Sequence, residues 1–408
     1  MRFTRTLLLL AGAIATFASI STATTDAGTT ASAATVSTPQ SKDEVIMYVG
    51  AYTREEVWIS GTPARGISTF SLNSRTGALT LLSETELGIN PTFIRGSTAR
   101  KGKNQILYAV NECNEPSIDF PGTTTGYVLA LEVTGKGQLK VLNRRETRGN
   151  GPIHVSVSPN EDFVAASMYG GGGVILFPVN KTDGSLAPTS DSHFYTEGSR
   201  VRDPQDAAHL HATTWIPGTQ VAITADLGND QLLQYTLDAA NQKLDNSTLP
   251  IIKRPPGSGP RHMDVHPNGK IAYVVDEFAN TIGVYPLNAK DKSLPAQTVQ
   301  NIPTLPVDYT GASTSADIHV SADGKFVYTS NRGHNSISMF RVKSQQDGSL
   351  EWIGTESTRG EFPRSFLLFK DLLVVANQNS NTIQVFKVNR DGTLTHTGQS
   401  AQSNSPVS

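Results

Sequence analysis

From Glu44 onward, short runs of β-branched and aromatic residues alternate with turn residues, and the runs recur in one fixed order. Gly151-Pro152-Ile153-His154 leads into a run ending at Pro159, a second from Phe163 to Tyr169, and a third from Val174 to Val179. Gly259-Pro260-Arg261-His262, Ala316-Asp317-Ile318-His319 and Phe362-Pro363-Arg364-Ser365 open further copies, with weaker ones at Asn90-Pro91-Thr92 and His209-Leu210-His211. An aromatic closes the third run in five copies: Phe177, Tyr235, Tyr285, Phe340 and Phe386. Gly184-Ser185-Leu186, Gly348-Ser349-Leu350 and Gly392-Thr393-Leu394 mark a fourth run. Short apolar runs bounded by Asn-Gly and Asp-Gly chemistry read as strands and hairpins. Four antiparallel strands in a unit of about 50 residues are a propeller blade.

The pattern predicts an all-β, seven-bladed β-propeller of four-stranded antiparallel blades around a central channel. The segment from Glu44 to Ser83 supplies three strands and lacks an opening one, while the chain ends on Ser405-Pro406-Val407-Ser408, where an opening strand would begin. Joining the two ends completes a seventh blade and removes the exposed sheet edges. Six or eight blades are the alternatives. Gly170–Gly173 falls on a hairpin turn of the repeat, and no strand-to-helix context makes it a phosphate loop.

Composition narrows the class. Of 408 residues, 37% are hydrophobic and 17% charged, which is globular, and each small repeat carries its own core, so residues 44–408 read as one domain. The net charge is −2 with no Lys/Arg stripe, which excludes the electrostatic footprint of a nucleic-acid binder. Cys113 is the only cysteine, so no intramolecular disulfide can form. Arg2 and Arg5 precede an apolar run from Leu7 to Ile20 and then small residues, the order of a secretory signal peptide. Residues 1–23 are the predicted signal, with cleavage after Ala33 as the alternative, and residues 24–43 a disordered Thr/Ala/Ser-rich leader. The expected product is secreted, with no membrane attachment after cleavage.

The copies agree at their turns and closing aromatics and differ at one end of the strands. The second strands end on Glu112, Tyr169, Leu227, Glu277, Arg332 and Gln378, beside a neighbouring column of Asn111, Met168, Asp226, Asp276, Asn331 and Asn377. The opening strands start on Phe93, His154, His211, His262, Asp317 and Ser365, with Arg261 and Arg364 one position earlier and His319 two residues past Asp317. In an antiparallel sheet both ends share one face, here the channel mouth, and variation confined to one face marks a binding site rather than a fold requirement. Arg261, Arg332 and Arg364 could clamp carboxylates and stabilise an oxyanion. His211, His154 or Glu277 could move a proton or activate water. Glu, Asp and Asn oxygens could instead hold Ca²⁺, but the arginines on the same face argue against a cation, and no cofactor is expected.

With these residues the sequence resembles the seven-bladed propeller lactonases, a family that includes propeller-type 6-phosphogluconolactonases and carboxy-cis,cis-muconate cyclases. The resemblance rests on Gly259-Pro260-Arg261-His262 with Tyr273 to Glu277, Asp317 to Ser321 with Ser330-Asn331-Arg332-Gly333, and Phe362 to Phe366 with Ala376-Asn377-Gln378. It implies a small-molecule lactone or dicarboxylate substrate. It also implies catalytic roles for His211 (or His209), Arg261, Glu277 and Arg332. Glu112, His154, His209, His262, Asp317, His319, Arg364 and Gln378 are the further candidates for substrate binding. Two functions remain: a secreted enzyme opening or closing a lactone ring, or a non-catalytic propeller binding a ligand or protein on the same face.

Overall fold

The computed structural model describes residues 42–56, 59–97, 104–119 and 121–408. The predicted signal sequence, and the leader apart from Lys42 and Asp43, lie outside them. The described residues form seven antiparallel sheets in chain order, each a meander whose strands neighbour one another in sequence. Blade two, for example, runs Phe93–Gly96, Ile106–Pro116, Thr124–Thr134 and Gln138–Glu146. Blades three to seven open with Pro152–Val157, Leu210–Trp215, Pro260–Val265, Thr314–Val320 and Pro363–Phe369. Opening strands of adjacent blades touch one another, so these strands are innermost and line the channel. Blade four adds a short strand, Ile252–Lys253, paired with its third.

Blade one contains Glu44–Val49, Ile67–Asn73 and Leu79–Thr85 from the start of the chain. Its innermost strand comes from the other end. Ala51 bridges Pro406. Gly50 donates to the Ser408 carbonyl at 3.1 Å, and Val407 donates back to Gly50 at 2.9 Å. The predicted closure is therefore present, and the blade that would otherwise offer an edge is sealed.

Side-chain alternation explains where the core lies. Each sheet presents one face to each neighbouring blade, and the apolar residues of facing sheets merge into seven buried clusters, one per blade interface. The five closing aromatics are among the most deeply buried side chains. A second device repeats between blades. The hydroxyls of Tyr48, Tyr108, Tyr273 and Tyr328 donate to the carbonyls of Gly137, Gly184, Gly348 and Gly392 in the following blade, at 2.9–3.0 Å. Each such bond contributes about 1 kcal/mol. The turn needs glycine: Gly184 has φ +84°, and a Cβ there would come within 2.5 Å of Ile106.

The tetraglycine joins Phe163–Met168 to Gly173–Pro178 as a hairpin, as its place in the repeat requires. The column containing Asn111, Asp226, Asp276, Asn331 and Asn377 turns away from the channel and serves the fold. Asn111 donates to the carbonyls of Leu87 and Ile89, and Asn377 to that of Thr358, pinning the loop that enters each blade. Asp276 is buried against Arg254.

Candidate functional site

The site begins with a backbone irregularity. In blades three to seven the opening strand slips register against its neighbour, between Pro152 and His154, Leu210 and Ala212, Pro260 and His262, Ser315 and Ile318, and Pro363 and Ser365. A bulge inserts one residue and suspends the in-out alternation, so the bulged residue and the next can both turn inward. Arg261 and His262 do so, as do Arg364 and Ser365.

The register corrects the sequence alignment of one residue. His211 pairs at the level of Arg261, Arg364 and Ile153, and Ala212 takes the level of His262, His154 and Ser365. The blade-four opening, Ala208-His209-Leu210-His211, lacks the proline that marks the register in blades three, five and seven, so aligning on histidine shifts it by one. The bulged positions meet at one pocket. It is lined by Thr92, Phe93, Glu112, Ile153, His211, Arg261, His262, Arg364, Ser365 and Val407.

Arg261 is the most enclosed group. Its Nε lies 3.0 Å from Glu277 Oε2, and its Nη1 donates to the Ala316 carbonyl at 2.6 Å. Arg332 Nη2 holds the other Glu277 oxygen at 2.9 Å. Glu277 is thus clamped between two guanidiniums. Burial alone would raise its pKa, but Arg332 and then Arg261 outweigh that and hold it below the usual carboxylate range. A carboxylate so stabilised is a poor proton acceptor. Arg364 differs: among the described residues no carboxylate lies within ion-pair distance of it, and its guanidinium rests 5.6 Å over the Tyr52 ring.

Three histidines pack against one another across the channel. The His211 and His262 rings lie 5.1 Å apart, and those of His262 and His154 5.6 Å, with Phe93 4.3 Å from His154. All three are pushed well toward the neutral form, by burial first, His262 to about 4; Arg261 adds to the effect at His211 and His262, and His262 at His154. His211 Nδ1 is buried with no hydrogen-bond partner. Glu112, by contrast, is raised by burial despite Arg364, and accepts the Tyr52 hydroxyl at 3.1 Å.

Of the residues singled out from sequence, Glu112, His211, Arg261, His262 and Arg364 line the pocket, with Glu277 and Arg332 joined to it through Arg261. His154 and Asp317 complete the ring of side chains around the channel. His209 stands at the rim, its ring stacked 4.2 Å from Tyr169 and its Nδ1 2.8 Å from the Tyr169 carbonyl. His319 is one pleat deeper. Gln378 is buried beside the mouth, donating to Asn379 at 3.0 Å. Among the described residues no three His, Cys, Asp or Glu side chains converge as a metal site.

Two participants escaped sequence reading. Tyr52 is the blade-one member of the Glu112–Glu277–Arg332 column; the signal was its spacing from Tyr48, equal to that of Glu277 from Tyr273 and Arg332 from Tyr328. Arg95 lies two residues past Phe93, its guanidinium 5.1 Å from that ring.

A ring of seven four-stranded blades, with a pocket walled by the bulged positions of its innermost strands, defines a propeller with an axial site. Residues 46–408 match the family model of the 7-bladed β-propeller lactonases, and the chain belongs to that family. It is 33% identical over 354 residues to a 6-phosphogluconolactonase of Formosa agariphila, covering 84% of this chain and 92% of the relative. A Bacillus subtilis protein of the same name is 32% identical over 358 residues, covering 86% and 93%. Among solved structures, the periplasmic gluconolactonase of Pseudomonas aeruginosa superposes with a TM-score of 0.76 at 26% identity, covering 90% of this chain and 98% of that one.

Proposed function

We propose that the protein is a lactone hydrolase that opens the ring of an anionic lactone outside the cytoplasm, with water as nucleophile. Two relatives named 6-phosphogluconolactonase support lactone hydrolysis over most of the chain. The carrying observation is the pairing, in one pocket, of a histidine nitrogen without a partner and a guanidinium without a carboxylate: His211 Nδ1 and Arg364.

Arg364 receives the anionic group of the substrate, phosphate or carboxylate, as a charge-assisted donor. Arg261, already aligned by Glu277 and Ala316, directs its charge toward the lactone carbonyl. Water adds to the carbonyl carbon and gives a proton to His211 Nδ1. The oxyanion so formed is stabilised by the guanidiniums. It collapses with cleavage of the ring C–O bond, and the departing alkoxide takes a proton back, leaving a hydroxy acid. Burial first, and then the arginines and His262, disfavour a charged His211 in the free protein. A bound anion offsets that positive field, so the histidine becomes a better acceptor once substrate is present.

Export is supported by the predicted signal peptide and by the periplasmic location in the name of the Pseudomonas relative. The test is acid release from 6-phosphogluconolactone, glucono-δ-lactone and a carboxymuconolactone, with and without chelator, for the wild type and Arg364→Ala. Hydrolysis above the spontaneous rate, with the variant impaired on charged lactones and spared on the neutral one, is expected. Rates equal to buffer on all three would remove the reading.

A further inference from the structure

A continuous run of polar contacts leads from the pocket down the channel. Arg261 Nη1 lies 3.3 Å from His262 Nε2, and His262 Nδ1 lies 2.9 Å from Asp317 Oδ1. The other carboxylate oxygen, Oδ2, is 3.2 Å from His319 Nε2. The far nitrogen of His319 faces Asp264 at 3.8 Å. None of these contacts is needed to close the ring of blades, and Asp317 and His319 do not line the pocket.

The direction of the run follows from donor and acceptor chemistry. A guanidinium only donates, so His262 Nε2 must accept and the ring proton must sit on Nδ1. Nδ1 then donates to Asp317. Asp317 also accepts from Ser365 Oγ at 2.6 Å and from the backbone N–H groups of Ile318 at 3.0 Å and Phe366 at 3.3 Å. His319, between two carboxylates, donates from Nε2 to Asp317.

We propose that Asp317 and His319 are positioning residues for Arg261, acting by holding His262 as the tautomer whose Nε2 lone pair anchors the guanidinium at the pocket. A buried carboxylate on its own is driven toward protonation. The imidazolium of His319 keeps Asp317 ionised, and an ionised Asp317 can only accept. A protonated Asp317 could instead donate to His262 Nδ1. The histidine would then carry its proton on Nε2 and set N–H against N–H at Arg261, displacing the guanidinium from the carbonyl it serves. Around His262, burial first and then Arg261 and Arg95 favour the neutral ring and outweigh the opposing pull of Asp317, with His154 and His211 the other titratable neighbours, so tautomer rather than charge is the variable.

The inference rests on the lactonase reading only for its kinetic readout. Protein labelled with ¹⁵N-histidine is examined by NMR for the His262 tautomer, in the wild type, His319→Gln and Ser365→Ala. The wild type should show a protonated Nδ1 and a bare Nε2. His319→Gln should move population to the other tautomer and lower kcat about 10- to 100-fold with a smaller change in KM. Ser365→Ala, which removes one donor from Asp317, should act in the same direction more weakly. A wild-type His262 carrying its proton on Nε2, or a His319→Gln variant with both tautomer and kcat unchanged, overturns the proposal. A tautomer shift in protein that hydrolyses no lactone upholds the positioning role and removes the lactonase reading instead.

Discussion

His211 and Arg261 hold the same bulged position in adjacent blades, so a proton acceptor and a cation reach the pocket from equivalent backbone. That position also holds Arg364, Ile153 and, by its bridge to blade one, Val407. The backbone device is constant and the side chain it aims is not. His211→Asn keeps a polar, planar side chain at this position and removes its capacity to take a proton. It should lower kcat about 10²- to 10⁴-fold, while the thermal midpoint stays within a few degrees. Steady-state kinetics beside a melting curve decide it; an unimpaired variant would leave Glu277 or bulk solvent as the proton acceptor.

Glu277 serves the fold as much as the chemistry. Its carboxylate holds Arg261 and Arg332 together, both almost wholly buried. Glu277→Gln leaves two buried guanidiniums facing a neutral amide, and such a loss costs about 3–5 kcal/mol. Urea unfolding should show a lower midpoint with unchanged slope, together with lost activity. A variant as stable as the wild type would mean that water or a neighbouring carbonyl already carries that charge.

Acid should loosen the fold through its channel histidines. His154, His211 and His262 are all held below the ordinary histidine value in the folded state, His262 to about 4. The unfolded chain therefore takes up protons first, from about pH 6.5 downward. Stability is complete above that value and falls as pH drops toward 4, by up to about 1.4 kcal/mol per pH unit for each histidine. His154→Asn should flatten the decline by one proton. Parallel pH profiles for the two proteins would show that His154 keeps its ordinary pKa.

His319 has the opposite sign. Burial opposes its charge, yet Asp317 and Asp264 push it up to about 10. Its contribution is fully present below pH about 6.5 and disappears as pH rises through 10. His319→Gln should therefore flatten the alkaline arm of a Tm-versus-pH curve and leave the histidine-driven acid arm in place. An unaltered alkaline arm would contradict the ion-paired assignment.

Deleting residues 405–408 removes the innermost strand of blade one and with it the bonds to Gly50 and Tyr52. At about 1 kcal/mol per bond, plus the apolar burial of Val407, the loss should be roughly 3–5 kcal/mol. Val407→Asp leaves the backbone bonds available and places a carboxylate in the pocket wall. It should spare more stability than the deletion while abolishing turnover of an anionic lactone. Equal stability of the deletion and the full chain would show that the strand contributes no net closure energy.

The blades were legible because each repeat states its own hydrophobic period and turn chemistry, and several copies reinforce the same reading. Even the closure could be read, from a missing strand at one end and a stub at the other. The channel face was legible only in outline. Alternation predicts that Arg261 and His262 point to opposite sides, and nothing in four residues of sequence announces the bulge that sets both inward. The same bulge made His211 look one position out of place. Tyr52 was hidden because its blade draws strands from both ends of the chain, so it has no opening motif of its own beside it. Of the Asp317–His319 run only the two-residue spacing of that pair was visible; its link to His262 and Arg261 in the neighbouring blade needed three dimensions.

The C-terminal strand has a consequence for how the protein comes into being. The C-terminal residues lie beside the end of the first strand, and Val407 forms part of the pocket wall. A chain emerging from its N-terminus can pack six blades one after another yet still hold an open arc with an incomplete binding cavity. Ring and cavity become whole in the same event, when the final four residues slot beside Gly50. A molecule clipped before Ser405 lacks both this pairing and part of the pocket wall. The segment that seals the ring is thus the one that completes the cavity.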